Sequence, residues 1–180
     1  MQPYKKLFTY WFSVVIYDHT VVFCDRWIRS YKLKEQMLGA ARSGKQNIVE
    51  GSDDMGTSMK IAIKLSGTSK GSLEELTGDL EDFLRQNNLN EWGKTDMRTI
   101  KFRRESSKLI KYLSSSRNVA ILKTVKLPED QERASNWLLT LCHQATYLLH
   151  KQIIALEEKH TKEGGFTEKL YKKRKEYRGY

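Results

Sequence analysis

The sequence predicts an all-α fold. Three observations predict it: apolar residues recur at steps of three and four, no segment alternates apolar with polar, and only 2 prolines and 11 glycines punctuate 180 residues. The length suits one domain with a short appendage, and 39% apolar with 11% aromatic residues suffices for one core. Helical periodicity at that apolar share excludes a fully disordered chain.

The first helix spans about Tyr4 to Ser30. Leu7, Tyr10 or Trp11, Val14, Tyr17, Val21, Cys24 and Ile28 form one stripe, and Phe8, Phe12, Val15, Ile16, Phe23 and Trp27 a second. Two apolar faces imply neighbours on both sides, the second most simply another subunit. The second helix runs from about Leu33 to Glu50, with Gly51 as a left-handed cap. The third starts at the capping pair Thr57-Ser58 and continues to about Gln86. Its small residues, Ser66-Gly67-Thr68-Ser69 and Gly71-Ser72, predict close approach of a neighbouring helix, since each helical glycine costs about 1 kcal/mol relative to alanine. Asn87 to Thr95 is a turn, followed by a short basic helix over Asp96–Leu113 and a loop ending at Pro128. Pro128-Glu129-Asp130 opens the last long helix, with proline in its first turn and acids at its positive end. That helix runs to about His160, Gly164-Gly165 breaks it, and residues 166–180 form a basic helical tail. The organisation is therefore a bundle over residues 1–162, a helix-connecting basic insertion at about 94–128, and a tail over 163–180.

Several chemistries find no footing. Cys24 and Cys142 lie in apolar helical patterns and read as reduced core residues, which points to the cytoplasm. The apolar run from Leu7 to Cys24 is interrupted by Asp18-His19, short of the about 20 residues a membrane span needs. Gly39 to Gln46 nearly matches a phosphate-binding loop, but Gln46 replaces the magnesium-holding Ser or Thr and no strand precedes it. His143 and His150 share a face two turns apart, too far to hold one metal ion in the usual way, and no cofactor is expected. Glu74, Glu75, Asp79, Glu81 and Asp82 would suit a nuclease centre, but they also make an ordinary solvated face.

The charge is segregated. The chain carries 32 Lys and Arg against 22 Asp and Glu, a net +10. Residues 1–97 are balanced. The excess sits in two stretches: Arg98, Lys101, Arg103, Arg104, Lys108, Lys111, Arg117, Lys123 and Lys126 against Glu105 alone, then Lys172, Lys173, Arg174, Lys175 and Arg178 against Glu176. A scattered excess only aids solubility, whereas a segregated one suggests an anionic partner. At helical spacing Arg98, Lys101, Glu105 and Lys108 form one stripe and Arg104, Lys108 and Lys111 another. A solvated face explains such stripes too. The scarcity of acids and the interleaved Trp92, Phe102 and Tyr112 favour phosphates and unpaired bases.

Two blocks carry a family resemblance. One is Ala40-Ala41-Arg42-Ser43-Gly44-Lys45-Gln46-Asn47-Ile48-Val49-Glu50-Gly51 with Lys64-Leu65-Ser66 and Gly71-Ser72-Leu73-Glu74-Glu75-Leu76. It resembles the bacterial four-helix-bundle family that includes proteins encoded in intervening sequences of large-subunit rRNA genes. The accessory variability determinant of diversity-generating retroelements belongs to the same family. The other block is Cys142-His143-Gln144-Ala145-Thr146-Tyr147-Leu148-Leu149 with Glu163-Gly164-Gly165-Phe166-Thr167-Glu168-Lys169-Leu170, similar to the C-terminal suffix of one branch. The commoner pattern has proline where Gly44-Lys45-Gln46 stands here. The resemblance implies an antiparallel up-down four-helix bundle protomer, a homopentameric barrel and no enzymatic activity. In the retroelement branch it implies binding to a reverse transcriptase and to nucleic acid. It also implies that Arg42, Asn47 and Glu50 satisfy one another near a helix end while Gly51 turns the chain.

The expected function is a non-catalytic, cytoplasmic, oligomeric accessory protein that binds RNA or an RNA–DNA hybrid and serves a reverse transcriptase. The expected phosphate contacts are Arg98, Lys101, Arg103, Arg104, Lys108 and Lys111, with Lys172, Lys173, Arg174 and Lys175 second. The alternatives are a scaffold docking an acidic protein partner, and a metal-dependent nuclease using Glu74, Glu75 or Asp79.

Overall fold

The computed structural model describes residues 2–55 and 57–179, and these are helical apart from short connections, with no strand among them. A 3-10 turn at Pro3–Lys6 precedes α1 (Phe8–Trp27), α2 (Tyr31–Asp54), α3 (Met59–Gln86) and α4 (Met97–Ser116). A second 3-10 turn at Val119–Lys123 leads to α5 (Gln131–Glu163) and α6 (Phe166–Arg178).

The helix starts follow from short polar side chains that accept an otherwise orphaned N–H. Ser30 caps α2 through the Leu33 amide at 3.3 Å and Ser58 caps α3 through Ile61 at 3.4 Å. Asp96 caps α4 through Arg98, and Asp130 caps α5 through Arg133, both at 2.8 Å. Pro128 therefore precedes the α5 cap by two residues instead of occupying its first turn. The chain start also departs from one continuous helix. Leu7 is extended between the 3-10 turn and α1, and the Trp11 indole donates to the Lys5 carbonyl at 2.9 Å, holding the turn in place.

Helices α1 to α5 enclose one core, with α2 against α3, α3 against α5, α5 against α1, α1 against α2, and α4 against α5 and α1. Trp11, Ile16, Phe23, Met37, Leu73, Leu76, Leu80, Leu138 and Leu141 fill the space between them. Burying each such side chain contributes about 1.5–3 kcal/mol. Cys24 and Cys142 lie in this core, where burial pushes their thiols up to about 11 and about 12. The helical bundle agrees with the sequence reading, but the second face of α1 does not need a subunit. Phe12, Val15, Ile16 and Phe23 are buried within the chain, where α4 and α5 pack on α1 and Phe83 of α3 meets Phe23.

Helices α2 and α3 approach closely at Gly44. A Cβ on Gly44 would stand 2.8 Å from Leu73 Cδ2, and the Ser69 hydroxyl donates to the Gly44 carbonyl at 2.7 Å. Further along, Gly51 lies against Leu65 and Ala62, and α2 runs past it to Asp54. Gly51 is thus a buried contact inside the helix and not its left-handed cap. Asn47 donates to Ser43, whose hydroxyl meets Ser72 at 2.9 Å, while Arg42 and Glu50 are exposed. The mutual satisfaction of Arg42, Asn47 and Glu50 is replaced by this Ser43-centred set. On α3 the predicted close approach holds at Ser66, Ser69 and Ser72, which are buried. Gly67 and Gly71 face open space instead.

Gly164, with φ of 70°, ends α5, and α6 continues with no more than marginal contact with any other element. The expected tail reaches Tyr180; helix α6 ends at Arg178, and Tyr180 lies outside the described residues, as does Met1.

Candidate nucleic-acid interface

Helix α4 is laid along α1 and α5 by its buried residues Phe102, Ser106, Ile110 and Leu113. Gln144 on α5 accepts from Ser106 at 2.7 Å and donates to Ser107 at 3.1 Å, fixing the seam. With those positions turned inward, Lys101, Arg104, Lys108 and Lys111 share the outward face at steps of three, four and three. All four are exposed. Lys101 is 3.9 Å from Glu105, and no carboxylate among the described residues pairs with Arg104, Lys108 or Lys111.

The other two α4 cations are employed differently. Arg98 forks onto Asp96 with bonds of 3.1 and 2.8 Å, and its guanidinium lies 3.9 Å above the Trp92 ring. Glu132 completes this cluster by accepting from the Asn90 amide at 3.0 Å and the Trp92 indole at 2.8 Å. The Arg98 side-chain bond holds the Asp96 carboxyl below its usual range, and the Asn90 backbone N–H foremost does so for Glu132. Arg98 therefore anchors the start of α4. Arg103 is half-buried, donates to the Lys94 carbonyl, and leaves its Nε buried without a partner. It turns towards α5 and lines a groove, away from the outward face.

The aromatic expectation needs correction. Trp92 and Phe102 are 7% and 6% exposed, pack against each other, and join Trp137 in the core. Their buried area serves the fold, so of the three interleaved rings Tyr112, 43% exposed, is the one on the surface. Lys172, Lys173, Arg174 and Lys175 are solvent-exposed on α6, separate from α4.

The rival chemistries fare poorly in the geometry. Gly39–Gln46 is continuous α2 helix and makes no loop. Glu74 pairs with Lys70 at 2.6 Å, Asp82 pairs with Arg85, and Asp79 accepts from Gln36 at 3.0 Å. Among the described residues no group of three or more His, Cys, Asp or Glu is disposed to hold a metal ion. No described helix is long and apolar enough to cross a membrane.

Sequence reasoning missed the groove that Arg103 lines. Its floor comes from α5, where Thr140, His143, Tyr147 and His150 recur at helical spacing. That row, carrying two histidines at a seven-residue spacing, was the available signal. Lys70 and Lys94, which join it from α3 and the α3–α4 connection, carry no local signal. No family model, curated protein or solved structure matches the chain.

Proposed function

We propose that this chain is a non-catalytic, cytoplasmic nucleic-acid-binding accessory protein, built as an antiparallel up-down four-helix bundle and assembled into a homo-oligomer, a pentamer by the family resemblance. In that reading it serves a reverse transcriptase. Residue pairing supports the bundle topology. Partners run in opposite order on α2 and α3 (Gly44 with Ser69, Gly51 with Ala62) and on α1 and α5 (Thr9 with Gln152, His19 with Trp137). Three- and four-residue connections after α1 and α2 suit antiparallel neighbours.

The observation that carries the function is the outward row of Lys101, Arg104, Lys108 and Lys111. It extends about 15 Å at 1.5 Å per residue, with Tyr112 beside it and one weakly held acid. Burial of Trp92 and Phe102 removes most of the base-stacking surface, so the row favours backbone phosphates over base identity. Each phosphate contact contributes a slope of about −0.7 to −0.9 to log K against log salt. RNA titrations over a salt series should therefore show a steep negative slope, flattened by about two units in a Lys101→Glu, Arg104→Glu double variant. Salt-independent binding, or no binding, removes this reading. A partner pulled down equally after nuclease treatment, through the same four cations, would favour the acidic-protein scaffold. Sedimentation should find a particle about five times 21.1 kDa; a lone protomer would sink the ring.

A further inference from the structure

The groove between α3, α4 and α5 has a composition unlike the outer face of α4. Its volume is about 590 Å³, within the range of roughly 300–1,000 Å³ typical of small-molecule sites. Lys94, Arg103, His143 and His150 line it together with Lys70, whose ammonium is held by Glu74, and no carboxylate is among the lining residues. Tyr147, 58% exposed, stands at its edge, where a second, apolar groove begins. The buried Nε of Arg103 has no partner. A guanidinium with a donor left unpaired favours an anionic acceptor close by.

We propose that this groove binds a nucleoside monophosphate, either free or as the phosphorylated end of a strand. The phosphate sits on Arg103, whose Nη2 is already fixed on the Lys94 carbonyl. Such fixation leaves the rest of the guanidinium pre-oriented for a charge-assisted bond. Lys94 and His143 line the groove beside it. The base stacks on Tyr147, as unpaired bases do on exposed aromatic rings. The solvent-exposed cation row on α4 provides no such enclosure, so the groove selects a discrete group where the outer face takes a continuous backbone.

Isothermal titration with adenosine 5′-monophosphate should give saturable binding with one site per chain. Arg103→Gln should weaken it at least about ten-fold, the loss expected of one charge-assisted hydrogen bond. Tyr147→Ala should weaken the nucleotide about five- to ten-fold and leave inorganic phosphate unaffected. Because Arg103 also touches the Lys94 backbone, its variant is read beside Tyr147→Ala, which is a surface change, and beside thermal melts of both. Lys101→Glu with Arg104→Glu should leave nucleotide binding intact, which separates the groove from the RNA-binding face. Competition by an oligonucleotide bearing a 5′-phosphate, but not by its 5′-hydroxyl twin, would place the ligand at a strand end; competition by neither would place it free in solution. No binding of the nucleotide, equal binding of adenosine lacking phosphate, or equal binding of inorganic phosphate alone would each overturn the proposal.

Discussion

His19 shows how one side chain ties distant parts of the chain together. It is buried, its Nδ1 accepts from the Trp137 indole at 2.8 Å, and its Nε2 faces the Val125 carbonyl at 3.1 Å. Those partners require the neutral tautomer with the proton on Nε2. Burial lowers its pKa from 6.5, against the opposing pull of the Val125 carbonyl and Asp18. An imidazole depressed in the folded state costs nothing above its unfolded value; as pH falls below about 6.5 the unfolded chain takes up a proton that the folded chain resists. Urea denaturation should thus show stability declining from pH 7 towards pH 5, and His19→Gln should flatten that decline. An unchanged profile in the variant would refute the assignment. None of this was legible in the sequence, where His19 is one of four histidines. Its partners lie more than a hundred positions away, and local patterning carries no trace of them.

At the scale of helices, spacing and capping chemistry made most boundaries readable, as at Ser58 and the Gly164-Gly165 break. Gly51 was misread because a glycine after an apolar run serves equally as a terminator or as room for a neighbour, and only the position of Ala62 and Leu65 decides. The same distinction divides Gly44 from Gly67. Gly44→Val would drive its side chain into Leu73 and the Ser69 carbonyl, and should lower stability by about 1–3 kcal/mol. Gly67→Ala meets open space and should raise it by about 0.5–1 kcal/mol through helix propensity. Chemical denaturation of the two variants checks both signs. In α4 periodicity gave two stripes, Arg98, Lys101, Glu105 and Lys108, and Arg104, Lys108 and Lys111, whose exposed cations Lys101, Arg104, Lys108 and Lys111 share the outward face. Arg98 and Arg103 departed from it because Trp92 and the Lys94 carbonyl, in the preceding connection, capture them.

For the molecule as a whole, the helical class was legible because period and composition agree along nearly the entire chain. A sequence shows that a face of α1 is apolar without showing whose residues cover it; within the chain Phe12, Val15, Ile16 and Phe23 are buried, while Phe8 and Val21 stay exposed. Helix α6 contributes six cations but almost no packing. Truncation after Glu163 should therefore leave the melting temperature within about 2 °C of the full chain while weakening RNA binding. A markedly lower melting temperature would mean that α6 supports the body. Helix α4, for its part, occupies the flank where α1 meets α5. A second copy reaching that flank would first have to pry α4 away. In the proposed homo-oligomer, contact along a seam of α2 and α3, where Gly39, Gly67, Gly71 and Gly78 leave space beside the backbone, would leave α4 in place. A collar closed along that seam would turn its cationic ridges away from every joint, free to meet the same strand in succession.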